Sequence, residues 1–322
     1  MKKGFIITAS ILVVVGLIIF SAAFIASGFD FSKLGSAKNE TNTYSPGESF
    51  DKIEIESTEA DIGFIPATDG ENRVVCEERE KVRHEVKVEN GTLKITTVDT
   101  RTWLDRLMPF SFKNQSLKIY LTGEHYSALK ISAGTGDLSI SSSFSFDDAD
   151  IKTSTGDVAF YAWTDGLLKI HTSTGDIKIG DIRAKNVDLS VSTGKIEGVK
   201  ILCDENFIVN VSTGKTVLET VVCKNLSSDG STGDITLKNS IISDELLIER
   251  GTGDVLLEGC DAGQISVTTS TGDVSGTLYS DKIFIVKTST GKVSVPDTVS
   301  GGTCRITTST GDINISLIAK PD

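Results

Sequence analysis

Six aspartates, Asp137, Asp157, Asp176, Asp234, Asp254 and Asp273, each follow a glycine in a Thr-Gly-Asp tripeptide, in two sets whose members lie 19 or 20 residues apart. Carboxylates at a fixed interval are raw material for a divalent-cation site if the fold brings them into line. Lys195, Lys215 and Lys292 occupy the same place in three further copies and Asp312 in a last one, so the acids fall into triplets. Calcium takes about six to eight oxygens in a tight cluster, and one carboxylate per repeat is sparse. The competing chemistry is structural: Asp bonds the backbone beyond it in a turn, and the lysines relieve repulsion between like charges stacked ~5 Å apart. The column reads as turn chemistry, with a cation column as the alternative and no metal assigned.

Other reactive groups are scattered. The three histidines, His84, His125 and His171, are far apart, and no Ser-His-Asp order stands out. Five cysteines leave at least one unpaired within the chain, and there is no CxxC. Cys203 and Cys223 each lie nine residues after a repeated glycine. Stacked repeats bring them within disulfide range, as a bond or as a buried free pair. Cys76, Cys260 and Cys304 have no obvious mates. The expectation is therefore no catalytic residue, no cofactor and no enzyme. Parallel β-helices do include polysaccharide-acting enzymes, which is kept as a less favoured alternative.

What positions these residues is a repeat. Gly136, Gly156, Gly175, Gly194, Gly214, Gly233, Gly253, Gly272, Gly291 and Gly311 recur every 19 or 20 residues. Such self-similarity marks a solenoid. Apolar residues stand five and seven positions before the glycine, as in Leu168 and Ile170 or Leu246 and Ile248, and two after it, as in Ile177 and Ile235. Alternation of this kind means strands with one buried face. Each coil therefore reads as strand, glycine corner, strand and variable return, with corresponding strands of successive coils paired in parallel. The threonine before every glycine shares the parity of the inward positions, which predicts a threonine ladder lining or closing one edge.

The amino terminus sets the location. Lys2 and Lys3 precede an uncharged run whose apolar part, 5–26, is 22 residues long. About 20 suffice for a membrane-spanning helix, and the run exceeds the ~7–15 of an ordinary signal-peptide core. The expectation is a signal-anchor helix over 1–27, a spacer over 28–47, an irregular β-rich part over 48–131 and ten regular coils over 132–322. The fold class is all-β: a parallel β-solenoid of about 19–20 residues per coil behind one transmembrane helix. The net charge of −12 excludes nucleic acid as a partner.

Within 48–131, Ser57-Thr58 followed by Asp61-Ile62 is a degenerate corner, and Asn90-Gly91 is a hairpin or corner signal. The apolar segment 100–112, with Trp103, reads as a short capping helix. The order "FDKIEIESTEADIGFIP", "VENGTLKI" and tandem "STGDI" coils resembles the bacterial putative-adhesin family, β-strand-repeat domains of unknown function in membrane-anchored proteins of Gram-positive type. The resemblance implies a single-pass membrane protein with an extracytoplasmic carboxyl-terminal domain and carries over no site residue. The function expected is a non-catalytic, adhesin-like binding or scaffold module whose partner is a cell-envelope protein or wall polymer. The alternative is a self-assembling, bactofilin-like β-helix. The charged carboxyl end, Lys320, Pro321 and Asp322, argues against strand addition there.

Overall fold

The structure, a computed structural model, describes residues 2–26, 39–103 and 115–320. Helix α1 (Lys2–Ala26) is followed by an all-β unit whose strands join one continuous hydrogen-bonded sheet. Side chains of α1 are described at 11–22 and 25, and all are exposed. Among the described residues, no helix is long and apolar enough to cross a membrane.

The coils around Gly175, Gly194, Gly214, Gly233 and Gly253 are three-sided. In the coil around Gly194, the first face is Asn186–Thr193; the second and third lie within Ile196–Thr213 and meet at Lys200. Lys200 has φ 55°, and Asp181, Thr220, Asn239 and Gly259 take the same left-handed conformation six residues after their own corner glycines. This second corner splits what reads in sequence as a variable return. The third face is ordered, and it sends Ile182 and Ala184, Ile201 and Cys203, Val221 and Cys223, and Cys260 and Ala262 into the core.

The first corner requires glycine for two reasons. At Gly175 φ is 137°, and a Cβ would lie 2.1 Å from the carbonyl oxygen of Gly156 on the neighbouring rung. Backbone stacks on backbone here, so no side chain fits. Ala60 takes the glycine's place in the degenerate corner, against which Gly136 packs.

The threonine ladder lies two residues from where parity places it. Thr155, Thr174, Thr193 and Thr213, immediately before their glycines, are exposed, because the chain already turns there. The buried threonines are Thr153, Thr172, Thr269 and Thr308, three residues before the glycine. Thr172 and Thr308 donate their hydroxyls to the corner carbonyls of Gly156 and Gly272 at 3.4 and 3.1 Å. Arg250 occupies this inward column too, 5% exposed, and donates to Ser228 Oγ at 2.7 Å. Gly230, its register partner, leaves the room: a Cβ there would lie 2.5 Å from the Arg250 guanidinium.

Rung order departs from chain order at both ends. Near the amino terminus the strands are β1 (Asn39–Tyr44), β2 (Lys52–Glu59), β3 (Asp61–Pro66), β4 (Arg73–Arg79), β5 (Val82–Glu89), β6 (Thr92–Asp99), β7 (Ser116–Leu121), β8 (His125–Thr135) and β9 (Leu138–Ile140). The β2–β3 coil lies between β6–β7 on one side and β8–β9 on the other. At the other end, strand Gly302–Thr310 pairs with both Val255–Thr271 and Lys282–Thr290. The last coil is thus inserted one rung inside the stack, and the coil before it is outermost. This corrects the in-order stacking expected from the sequence. It also relocates the open edge from the chain terminus to Lys282–Thr290; of the last three residues, Pro321 and Asp322 lie outside the described residues.

The amino-terminal end is closed by antiparallel strands. β5 pairs with β6 through a turn at Asn90 and Gly91, both at positive φ, while β4 pairs with β7 and β1 with β4. The expected spacer 28–47 therefore contains a strand: its residues 39–44 alternate half-buried and exposed, and they cover the edge of β4. The capping helix expected over 100–112 lies, beyond Trp103, outside the described residues.

Candidate functional site

The aspartate column is a hydrogen-bond ladder. Asp137 donates its backbone N–H to Asp61 Oδ1, Asp157 to Asp137, Asp176 to Asp157 and Lys195 to Asp176, at 2.8–3.0 Å. Asp254 donates to Asp234, Asp273 to Asp254, Asp312 to Asp273 and Lys292 to Asp312, at 2.7–3.2 Å. Each acidic run is a quartet, because the degenerate corner adds Asp61 and the inserted last coil adds Asp312. Lys195 and Lys215 interrupt the ladder, while Lys292 stands on the outermost rung. Lys215 Nζ lies 2.9 Å from Asp234 Oδ2. That pairing, together with the amide of Asp254, holds the Asp234 carboxyl below its ordinary range.

The reactive groups are distributed as follows. His171 points outward and half-buried on a first face, and exposed His125 lies 3.2 Å from Asp147. All five cysteines are free and buried. Cys203 and Cys223 are register partners on adjacent third faces. Burial pushes the thiol of Cys203 up to about 11 and that of Cys223 up to about 12, so both behave as small apolar side chains.

The third face carries a surface feature that the sequence analysis missed. Arg183, Leu202, Val222 and Ile241 stand in register on four successive rungs, alternating with the buried Ala184, Cys203, Cys223 and Ile242. Leu202 is 51% and Val222 44% exposed. They line a depression of ≈ 350 Å³, which shares Ile241 and Ser243 with a second of ≈ 540 Å³ running to Ser300. At that far end buried Lys282 donates to Asp261 Oδ1 at 2.7 Å and to Ser280 Oγ at 2.5 Å. Ion pairs flank the stripe, Arg183 with Asp204 at 3.6 Å and Lys224 with Glu205 at 3.4 Å. The arrangement is a shallow apolar track with polar margins on a rigid ladder. The apolar dyads of the return, "KILC" and "TVVC", are its only signal in the sequence, legible once the second corner is known.

A second cluster lies in the amino-terminal cap. Cys76 and Glu78 of β4 and His84 of β5 are buried, and their ligand-type atoms lie within 4.8 Å of one another. The tight turn that pairs Arg79 of β4 with Val82 of β5 assembles them, outside the glycine repeat. Burial and the Glu78 charge push the Cys76 thiol up to about 12.

Among curated proteins none matches the chain. Solved structures resemble it over most of its length. A putative adhesin from Bacteroides fragilis NCTC 9343 is 14% identical, with 88% of this chain and 98% of that one covered and a TM-score of 0.38. One from Parabacteroides distasonis ATCC 8503 is 13% identical, with 85% and 98% covered and a TM-score of 0.44. The Toastrack DUF4097 family matches residues 50–202 and again 199–322, which together include the whole β-solenoid from the first rung to the last. The chain belongs to the Toastrack DUF4097 family.

Proposed function

We propose that the protein is a non-catalytic binding module of the cell envelope, held to the membrane by the apolar run 5–26, whose side chains are described only in part, with the solenoid outside, and that the third-face track receives its partner. The observation that carries this reading is the in-register row of exposed Leu202 and Val222 with half-buried Ile241. Exposed apolar rows rimmed by charge are a mark of interaction surfaces, and a ladder fixed on both sides presents its row with little ordering cost. Lys2 and Lys3 before the apolar run support an inside amino terminus. A photo-cross-linking residue at position 202 of the full chain, in intact cells, should capture one discrete protein or wall-polymer adduct. The same residue at outward-facing Ser190 of a first face should not. Equal capture at both positions overturns the assignment of the track, and resistance of the solenoid to protease added to wall-stripped cells overturns the topology.

One observation favours self-assembly as the second reading. Strand Lys282–Thr290 pairs on one edge only among the described residues, and Ile283, Ile285 and Val293 of this outermost coil are exposed. The opposite end finishes in the polar strand β1 and the charged strand β5, so an assembly through the open end closes as a dimer rather than growing into a filament.

A further inference from the structure

We propose that Cys76, Glu78 and His84 form a structural binding site for one borderline-soft divalent cation of the zinc type, which pins the two strands of the cap hairpin, β4 and β5, to each other.

Thiolate, imidazole and carboxylate are the three donor types that zinc takes from proteins. Here one of each converges with ligand atoms within 4.8 Å, and the residues are 0%, 1% and 3% exposed. Cys76 and Glu78 are two apart on β4, so both project to the same side of the strand. His84 arrives from β5 across the tight connection that pairs Arg79 with Val82. The site would therefore span the β4–β5 hairpin, whose strands pair with β7 and β6.

The surroundings are those of oriented ligands. Glu78 Oε1 accepts from Asn42 Nδ2 at 2.7 Å, and Oε2 accepts the backbone N–H of His84 at 2.7 Å. His84 Nδ1 lies 3.0 Å from Glu78 Oε2, and Nε2 lies 3.5 Å from Ser57 Oγ of β2. Carboxylate and imidazole are thus held by partners on β1 and β2, as outer-shell groups hold metal ligands. Cys76 Sγ forms no hydrogen bond among the described residues, which leaves its lone pairs available. On binding, the cysteine releases its proton to solvent and the sulfur–metal bond forms, with no change in oxidation state. The three residues would supply three of the four ligands that zinc commonly takes. Because the pocket is closed, loading accompanies folding of the cap.

Cobalt(II) is the probe, since a thiolate ligand gives it a sulfur-to-metal charge-transfer band. The full chain in detergent, unfolded with chelator and refolded with Co²⁺, should bind one ion per chain, show that band and lose it to Zn²⁺. Cys76→Ser should abolish the band, whereas Cys260→Ser, which alters another buried thiol, should keep it. Asn42→Ala should retain the band and lower affinity about 10–100-fold, as loss of an outer-shell partner does. Glu78→Gln, close to isosteric and still able to accept from Asn42, should weaken Co²⁺ binding while circular dichroism stays native. Failure of refolded wild type to take up Co²⁺ overturns the proposal whatever the variants do, as does a charge-transfer band that survives Cys76→Ser.

Discussion

Asp157 Oδ1 accepts the backbone N–H of Asp176 on the next rung at 2.8 Å. The strand ladders resume on either side of the corner: Gly156 donates to Thr174 O and Val158 to Asp176 O. One corner amide per rung is left without a backbone acceptor, and the aspartate one rung earlier takes it. The repeated Thr-Gly-Asp is thus a joint in which glycine permits the approach and aspartate completes the hydrogen bonding.

This joint makes a forecast for Asp254. Asparagine keeps an accepting oxygen, so Asp254→Asn should change stability little. Alanine leaves the amide of Asp273 to water, and Asp254→Ala should cost ~0.5–1.5 kcal/mol, the net worth of a hydrogen bond. Calcium should leave the melting temperature of all three proteins unchanged. A cation column predicts otherwise: stabilisation by RT ln(1 + [L]/Kd), about 2.7 kcal/mol at a hundredfold excess over Kd, that Asp254→Asn removes. Melts with and without millimolar calcium separate the two.

The joint was legible in the sequence because glycine recurs at its place in all ten regular coils and aspartate follows it in seven of them. The second corner was not, since Asp181, Lys200, Thr220 and Asn239 share a left-handed backbone and no side-chain chemistry. A β-branched residue such as Thr220 is a poor advertisement for φ > 0. Rung order was hidden for another reason: the glycine intervals 272 to 291 to 311 are the same whichever coil stacks first. The Cys76, Glu78 and His84 group needed strand pairings that no periodicity encodes.

The core forecast compares two kinds of loss. Ile235 is fully buried in its second-face column. Ile235→Ala should cost ~2–5 kcal/mol, the range for truncated buried aliphatics. Gly175→Ala removes no contact, yet it adds strain of ~1–3 kcal/mol from the unfavourable φ, before any cost of parting two rungs. Denaturant melts should show both variants destabilised; a wild-type midpoint for Gly175→Ala would mean that the corner tolerates a side chain.

Acid should loosen the outer faces before the core. Glu54 is held below its ordinary pKa by the hydrogen bond from Lys130, Glu197 by that from Lys195, and Asp234 by that from Lys215. A carboxylate whose folded pKa is lowered stabilises above its unfolded value, and that stability is lost as pH falls through the folded one. The loss should therefore begin near about pH 4 and continue below it. Asp234→Asn should flatten this acid limb and leave the neutral plateau nearly level, because these pairs are exposed and weak. An unchanged acid slope in that variant would show that the Lys215 contact contributes nothing in solution.

The inserted last coil makes the sharpest test of topology. Strand Gly302–Thr310 is bonded on both edges, to Val255–Thr271 and to Lys282–Thr290, although it lies closer to the chain end than the latter. In an in-order stack the strand nearest the terminus frays first; here the order is reversed. Hydrogen exchange should protect 302–310 to nearly the level of 255–271, while outward-facing amides of 282–290 exchange fast. The side chains should follow the same order. Ile306 is fully buried, whereas Val286 is half-buried on the outermost rung. Ile306→Ala should therefore cost ~2–5 kcal/mol and Val286→Ala clearly less, because a site at the rim can collapse or hydrate. Faster exchange of 302–310 than of 282–290, with the larger loss at Val286, would restore the in-order stack and return the open edge to the chain terminus.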